Sequence, residues 1–153
     1  MSNTQARRHK PLKVLYVTGR SDLYGASRSL LRLTEALQMI SKAVDKEPNN
    51  GAFLDSLGWV YFRMGKLKEA EDYVRRSLER VRQDPTVHDH LGDILMQQGK
   101  LREAIVQWEA SMKAYESGPS AEADPVEVAK VAKKLENAKV RLARESTPGP
   151  SKN

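Results

Sequence analysis

The chain has 153 residues, of which 39% are hydrophobic and 30% charged, a composition typical of one soluble domain with a modest core. It contains no cysteine, so disulfides and thiolate metal sites are excluded. The net charge of +6 is located at the ends, since residues 1–20 carry +5 and residues 125–153 carry +4, which leaves the body at −3. A slightly acidic body argues against specific nucleic-acid binding. Because no run is long and apolar enough for a signal sequence or a membrane span, we predict a cytoplasmic protein without a membrane partner.

The beginning of the chain contains a short strand-like run. Residues Lys13–Gly19 are rich in β-branched and apolar side chains, and residues Arg20–Arg28 have the composition of a loop followed by a helix start. The stretch 12–37 resembles the N-terminal start of GT-B-type glycosyltransferases, which have two Rossmann-like domains. That resemblance implies that Gly25 and Ala26 lie where the first helix begins, beside a substrate cleft.

The glycosyltransferase interpretation is limited by the number of strands. A parallel sheet needs a partner strand, and no later segment of the sequence supplies one. We therefore predict that residues 1–24 form a disordered or loosely packed, strand-like segment. A truncated or fused glycosyltransferase fragment without independent catalytic activity is the alternative function for the chain.

A long amphipathic helix is predicted next. Apolar residues recur at spacings of 4, 3, 4, 3 and 4, which is one stripe on one helix. The stripe predicts a helix that runs without interruption from about Gly25 to Lys46. Its members are Ala26, Leu30, Leu33, Leu37, Ile40 and Val44.

A stretch in the middle of the chain occurs twice, at an offset of 34 residues. Such a period predicts a solenoid of helix–turn–helix units, in which a glycine ends the first helix of each unit. Residues 33–46 share the register and are predicted to be the second helix of an incomplete first unit. The repeated pairs are Leu57-Gly58 with Leu91-Gly92, Gly65-Lys66-Leu67 with Gly99-Lys100-Leu101, and Glu69-Ala70 with Glu103-Ala104. The predicted helices are about Gly51–Met64, Leu67–Val81, Pro85–Gln98 and Leu101–Tyr115.

The residue types at these positions resemble the tetratricopeptide repeat family, and in particular the C-terminal repeats of bacterial members, over about residues 33–145. The resemblance implies an all-α, right-handed solenoid of about two and a half repeats in residues 25–145. It also implies that paired helices cross closely at Gly58 with Ala70 and at Gly92 with Ala104. The matching residues are Leu54, Leu57, Gly58, Tyr61, Ala70 and Val74 in the first unit and Leu91, Gly92, Leu95, Ala104 and Trp108 in the second.

The same resemblance implies a concave groove that binds a peptide or a partner helix. Trp59 and Phe62 are the expected anchors, because large aromatic residues are enriched among binding hot spots. The acids of the groove would favour a basic ligand. In a short stack, the alternative is that the N-terminal or the last helix fills the groove. The predicted groove residues are Asp55, Trp59, Phe62, Arg63, Asp89, Asp93, Met96 and Gln97.

The last helix is predicted to begin at Pro125, because Asp124, Pro125 and Glu127 form a capping-box type of start. We predict that it ends near Glu145 and that residues 146–153 are a disordered tail. Its apolar stripe is about two heptads long, which favours a cap on the solenoid over a homodimer formed through this helix. The stripe consists of Val128, Val131, Leu135, Ala138 and Leu142.

The leading hypothesis is a non-enzymatic protein–protein interaction module. No catalytic set and no cofactor site are predicted from the spacing of the residues. His88 and His90 stand two residues apart on a predicted helix, so their rings point to different faces, and we predict no metal site.

Overall fold

The computed structural model describes residues 20–118 and 123–146 of the chain. Within those ranges the regular elements are all helical, which agrees with the predicted fold class. The strand-like run of Lys13–Gly19 and the predicted tail after Ser146 lie outside the described residues. The helices are α1 (Arg20–Lys46), α2 (Gly51–Arg63), α3 (Leu67–Arg80), α4 (Pro85–Gln97), α5 (Leu101–Ser117) and α6 (Pro125–Ser146).

Helix α1 begins earlier than the sequence suggested. Residues 20–24 were predicted to be part of a loose segment and a loop, but their backbone is helical from Arg20 onward. Gly25 and Ala26 therefore lie inside a helix and not at its beginning. One glycine inside a helix costs about 1 kcal/mol relative to alanine, which is not enough to end a helix of 27 residues.

Local signals in the sequence set the other helix ends. The side chain of Asn50 accepts a hydrogen bond from the backbone N–H of Phe53 at 3.3 Å and caps α2. Asp84 caps α4 in the same way. Gly65 and Gly99 follow the first helix of each unit with φ of 75° and 78°, a conformation that side-chain-bearing residues rarely adopt. The sequence and the backbone thus agree on where each turn lies.

The paired helices of each unit come close at a glycine, but the nearest side chains are not the predicted alanines. A Cβ atom on Gly58 would lie 2.5 Å from Val74 and 3.1 Å from the carbonyl oxygen of Ala70. At Gly92 the nearest obstacle is the indole ring of Trp108, not the predicted Ala104. The larger ring fills the crossing of the second unit. A side chain at either glycine would push the two helices apart.

A serine also ties each pair of helices together. The hydroxyl of Ser77 donates to the carbonyl oxygen of Gly51 at 2.7 Å, and that of Ser111 donates to Pro85 at the same distance. Both serines are fully buried. Each bond joins the C-terminal half of a second helix to the start of its first helix, which fixes the register of the pair.

The helices stack in chain order. Within the described residues α2 pairs with α3 and α4 with α5, while α1 packs on α2, α3 on α4 and α5 on α6. Helix α6 therefore lies where the first helix of a further unit would lie. It buries Val131 and Ala138 against the main core. The predicted stripe on this helix is used inside the chain, as a cap on the stack.

Candidate partner-binding face

The first helices of the stack share one surface, on which side chains of neighbouring helices meet. His90 of α4 reaches Asp55 of α2, and Lys134 of α6 reaches Asp89 and Asp93 of α4. We call this surface the first-helix face. Its members are Asp55, Trp59, Phe62, Arg63, Asp89, His90, Asp93, Met96, Gln97 and Lys134.

An aromatic cluster lies on the first-helix face and consists of Trp59, Phe62 and His90. The ring of Trp59 stacks on that of His90, with centroids 4.1 Å apart and planes at 21°, and on that of Phe62 at 4.8 Å. The three side chains are half-buried. The cluster joins α2 to α4 and leaves part of each ring accessible.

The position of His90 is fixed by Asp55. Its Nδ1 atom lies 2.9 and 3.0 Å from the two carboxylate oxygens of Asp55. An ionised carboxylate only accepts hydrogen bonds, so Nδ1 must carry the hydrogen. This bond holds the imidazole ring in the plane that Trp59 covers.

The other two acids of the face are paired with Lys134. The ammonium nitrogen lies 2.9 Å from both oxygens of Asp89 and 2.8 Å from Asp93. Burial raises the pKa of Asp93, and the hydrogen bond and charge of Lys134 oppose that rise only in part. Burial lowers the pKa of Lys134, but the hydrogen bonds to Asp93 and Asp89 outweigh it, so the pKa of Lys134 is raised. All three predicted acids thus already have partners inside the chain.

The remaining predicted groove residues differ in exposure. Arg63 and Gln97 are exposed, while Met96 is half-buried and packs against the core. The structure therefore brings the eight predicted residues onto two adjacent helices, and it adds His90 and Lys134. Helices α4 and α6 share a start signal, Asp84-Pro85 and Asp124-Pro125, which identifies α6 as a first-helix equivalent. That equivalence could have pointed to Lys134 as a further residue of this face.

The two histidines that suggested a metal site do not converge. His88 contacts Gln107 through Nδ1 at 2.9 Å and the carbonyl oxygen of Arg82 through Nε2 at 3.1 Å, whereas His90 contacts Asp55. Among residues 20–118 and 123–146, no three histidine or acidic side chains are grouped as metal ligands. None of the helices in these ranges combines the length and the apolar character needed to cross a membrane.

Comparison with known proteins gives one family and a consistent set of folds. Residues 32–94 match the tetratricopeptide repeat model. A TPR repeat-containing protein of Pseudomonas aeruginosa is 46% identical over 43 residues, which are 28% of this chain and only 7% of that protein.

Solved structures share the fold at low sequence identity. The type III secretion translocator chaperone SycD of Yersinia enterocolitica has a TM-score of 0.67 at 17% identity, over 80% of this chain and 82% of that chain. The first TPR of Spaghetti, bound to an HSP90 peptide, has a TM-score of 0.63 at 18% identity, over 80% and 89%. PcrH in complex with the chaperone-binding region of PopD has a TM-score of 0.65 at 14% identity, over 84% and 98%.

Proposed function

This chain is a tetratricopeptide repeat protein, and from that premise we propose that it is a non-catalytic interaction module. Its first-helix face would form a concave groove that binds a peptide or a partner helix. The observation that carries the proposal is the aromatic cluster, in which Trp59 and Phe62 lie stacked and half-exposed in the middle of that face. Proteins of the same fold were solved with an HSP90 peptide and with a peptide of the translocator YopD.

The chemistry of the face favours an apolar anchor on the partner. Covering the rings of Trp59 and Phe62 removes apolar surface from water and disturbs no internal bond. A basic ligand would instead have to compete with Lys134 for Asp89 and Asp93. We therefore propose that an aromatic or aliphatic side chain provides most of the affinity. Basic residues of the partner would act at the rim of the groove, where charges mainly affect the association rate.

The partner of the module is proposed to be another protein, and the C-terminal helix is assigned to the cap. Val131 and Ala138 are buried, and Leu135 and Leu142 pack against the same core. A homodimer formed through the apolar stripe of α6 would have to detach that helix from α5. The packing within one chain therefore favours α6 as a cap.

The test is a selection of random peptides of about 12 residues displayed on phage, since groove-binding segments have three or four anchor positions over that length. The tightest peptides are then measured by fluorescence anisotropy. Trp59→Ala should weaken their binding at least tenfold, the effect of losing a hot-spot residue. Tyr73→Ala is the matched control, because this half-buried tyrosine of α3 stacks on Tyr61 away from the aromatic cluster.

The composition of the selected peptides distinguishes the two modes of binding. Enrichment of aromatic and aliphatic residues supports the apolar anchor. If the selected peptides are rich in Lys and Arg, and Asp89→Lys abolishes binding while Trp59→Ala does not, the face is an acidic groove and the apolar anchor is wrong. Binding that neither variant changes would contradict the proposed face altogether.

A further inference from the structure

The N-terminal end of the stack has a helix face that the described helices cover only in part. In each complete unit, three positions of the second helix are covered by its first helix. Ala70, Val74 and Ser77 are each 0% exposed, and the equivalent residues of the next unit, Ala104, Trp108 and Ser111, are at most 2% exposed. These positions thus show how completely a first helix covers its partner.

In α1 the equivalent positions are occupied by Ala36, Ile40 and Ala43, and all three are only half-buried. Among the described helices, α2 alone packs extensively against α1. Ile40 contacts the apolar cluster that α1 shares with α2 and nevertheless stays half-buried. Ala43 stands where the complete units have a serine bonded to the start of their first helix. Alanine has no hydroxyl group and needs no carbonyl acceptor. A partner of α1 therefore does not have to begin a helix opposite Ala43.

This partly covered face is complementary to itself. Arg32, Ala36, Ile40, Ala43 and Glu47 are spaced 4, 4, 3 and 4 residues apart and form one stripe. The N–H of Glu47 bonds to the carbonyl oxygen of Ala43 at 2.9 Å, so the last turn carries the stripe to its end. The stripe has a cation at one end and an anion at the other. The isoleucine lies in the middle, with one alanine on each side of it.

When two such stripes lie antiparallel, every pair is favourable. With a twofold axis between residues 39 and 40, Arg32 faces Glu47 of the other copy and Ala36 faces Ala43. Ile40 lies next to the axis and meets its own equivalent. The alanines let the two backbones approach closely, as the glycines do within each unit. Arg32 and Glu47 are both exposed, and the carboxylate of Glu47 accepts one hydrogen bond from Asn50 at 2.9 Å.

We infer that this stripe of α1 binds a second copy of the same chain. Each copy would place its α1 where the described residues of the other copy include no first helix. Its direction would be antiparallel, as a first helix is to its second helix. The interface is isologous, so it closes as a twofold dimer and does not propagate. It lies at the end of the stack and uses none of the residues of the aromatic cluster.

A charge reversal with rescue tests the pairing, using the full chain and sedimentation equilibrium. Arg32→Glu and Glu47→Arg should each weaken the dimer about tenfold, because each replaces two symmetry-related ion pairs with two repulsive pairs. The double variant should recover the wild-type dissociation constant, since both pairs are restored in reverse. Lys42→Glu is the matched control, because it changes an exposed cation of α1 outside the stripe.

Cysteine cross-linking tests the register independently, because the chain has no cysteine of its own. A mixture of Ala36→Cys chains and Ala43→Cys chains should form disulfide dimers under mild oxidation, since a disulfide needs Cα atoms about 6 Å apart. Each variant alone should cross-link poorly, because the matching residue of the other copy is seven positions, or about 10 Å, away along the helix. Gln38→Cys on the exposed side should not cross-link selectively.

Several outcomes would overturn the inference. If the chain stays monomeric at every concentration, the stripe does not bind a second copy. It would then be covered by residues 1–19, covered by a segment of a longer protein, or open to a different partner. A dimer that neither charge reversal weakens uses another surface. Cross-linking by Ala36→Cys alone as efficiently as by the mixture would exclude the antiparallel register.

Discussion

The helices at the two ends of the stack differ in how much of their surface is covered. At the C-terminal end, α6 lies against α5, and its Val131 and Ala138 are 2% and 1% exposed. At the N-terminal end, α1 is the second helix of a unit whose first helix is absent from the described residues, and Leu30 and Leu31 are 60% and 63% exposed. Among the described helices α6 packs mainly on α5 and α1 on α2, so the difference comes from how these neighbours cover them. In a solenoid each unit is stabilised by the helices beside it, and its ends decide solubility and association.

The contacts between successive helix pairs differ as well, and we call each of these contacts a joint. Where α3 meets the second unit, Glu71 lies 2.9 Å from Lys100 and 2.7 Å from Arg75. The equivalent position in α1 is Leu37, which packs on the small apolar cluster around Leu54. One joint is therefore ionic and the other apolar. Only the ionic joint should respond to pH.

The largest effect on stability is expected at the C-terminal end of the stack, where α6 covers α5. Val131→Asp places a carboxylate in a fully buried site, and we expect a loss of about 3 to 5 kcal/mol in the free energy of unfolding. Val140→Asp changes the same residue type on the same helix, where the side chain is 45% exposed, and should cost about 0.5 kcal/mol or less. Urea unfolding followed by circular dichroism measures both. Equal losses would show that α6 is not docked.

Removing Lys134 leaves Asp89 and Asp93 next to each other without their shared cation. We expect Lys134→Met to cost about 1 to 3 kcal/mol, less than for a fully buried pair because the side chain of Lys134 is 32% exposed. Lys139→Met is the control, since the pair of Lys139 with Glu109 is about half exposed on both sides. It should cost about 0.5 kcal/mol or less.

The pH dependence of the Lys134→Met variant gives a second check. Burial already raises the pKa of Asp93, the charge of Asp89 raises it as well, and the opposition from Lys134 is gone. The folded variant then binds a proton more tightly than the unfolded chain does. Its stability should therefore rise as the pH falls through the folded pKa of Asp93. A variant whose stability only declines on acidification would contradict this assignment.

A smaller effect is expected at the ionic joint. Burial raises the pKa of Glu71, but hydrogen bonds from Lys100, Arg75 and Gln98 outweigh it and lower the pKa to about 2. The contribution of Glu71 is thus present above its ordinary pKa of 4.5 and is lost as the pH falls toward 2. We expect Glu71→Gln to cost about 1 kcal/mol at neutral pH, in line with a partly exposed ion pair, and almost nothing near pH 2.

The control for this pH series is Glu79→Gln, which changes an exposed glutamate of the same helix. Its unfolding free energy should follow that of the wild type throughout the titration. Parallel curves for Glu71→Gln and the wild type would mean that the joint is not ionic.

The smallest effect is expected at the open end. Met39 of α1 is 74% exposed, and Met39→Lys should change the unfolding free energy by about 0.5 kcal/mol or less. The measurement is made at low protein concentration, so that only the single chain contributes. A large loss would show that another part of the chain covers this side of α1.

Much of the fold follows from patterns within single helices. The turn glycines, the Asp-Pro starts and the 34-residue period predict five helices to within two residues at each end. The predicted start of α1 was wrong, because the helix continues through Gly25, where the sequence predicts that it begins. Patterns within one helix carry no information on which ring fills a crossing, so Trp108 was missed at Gly92.

The candidate face was predicted only in part for the same reason. Aspartates at equivalent positions identify the surface, but the partners that neutralise them come from neighbouring helices. The stacking of Trp59 on His90 and the reach of Lys134 to Asp89 depend on the spacing between helices. That spacing follows from the packing between helices, and no single segment of the sequence determines it.

The most direct test of the proposed groove uses the two tryptophans of the chain. Trp59 lies on the first-helix face, and Trp108 is 2% exposed inside the core. A peptide from the selection is titrated while the two indole N–H signals are followed by NMR, with Trp59→Phe used to assign them. We expect the Trp59 signal to shift with saturation and the Trp108 signal to stay in place. A bound peptide that leaves Trp59 unchanged would contradict it.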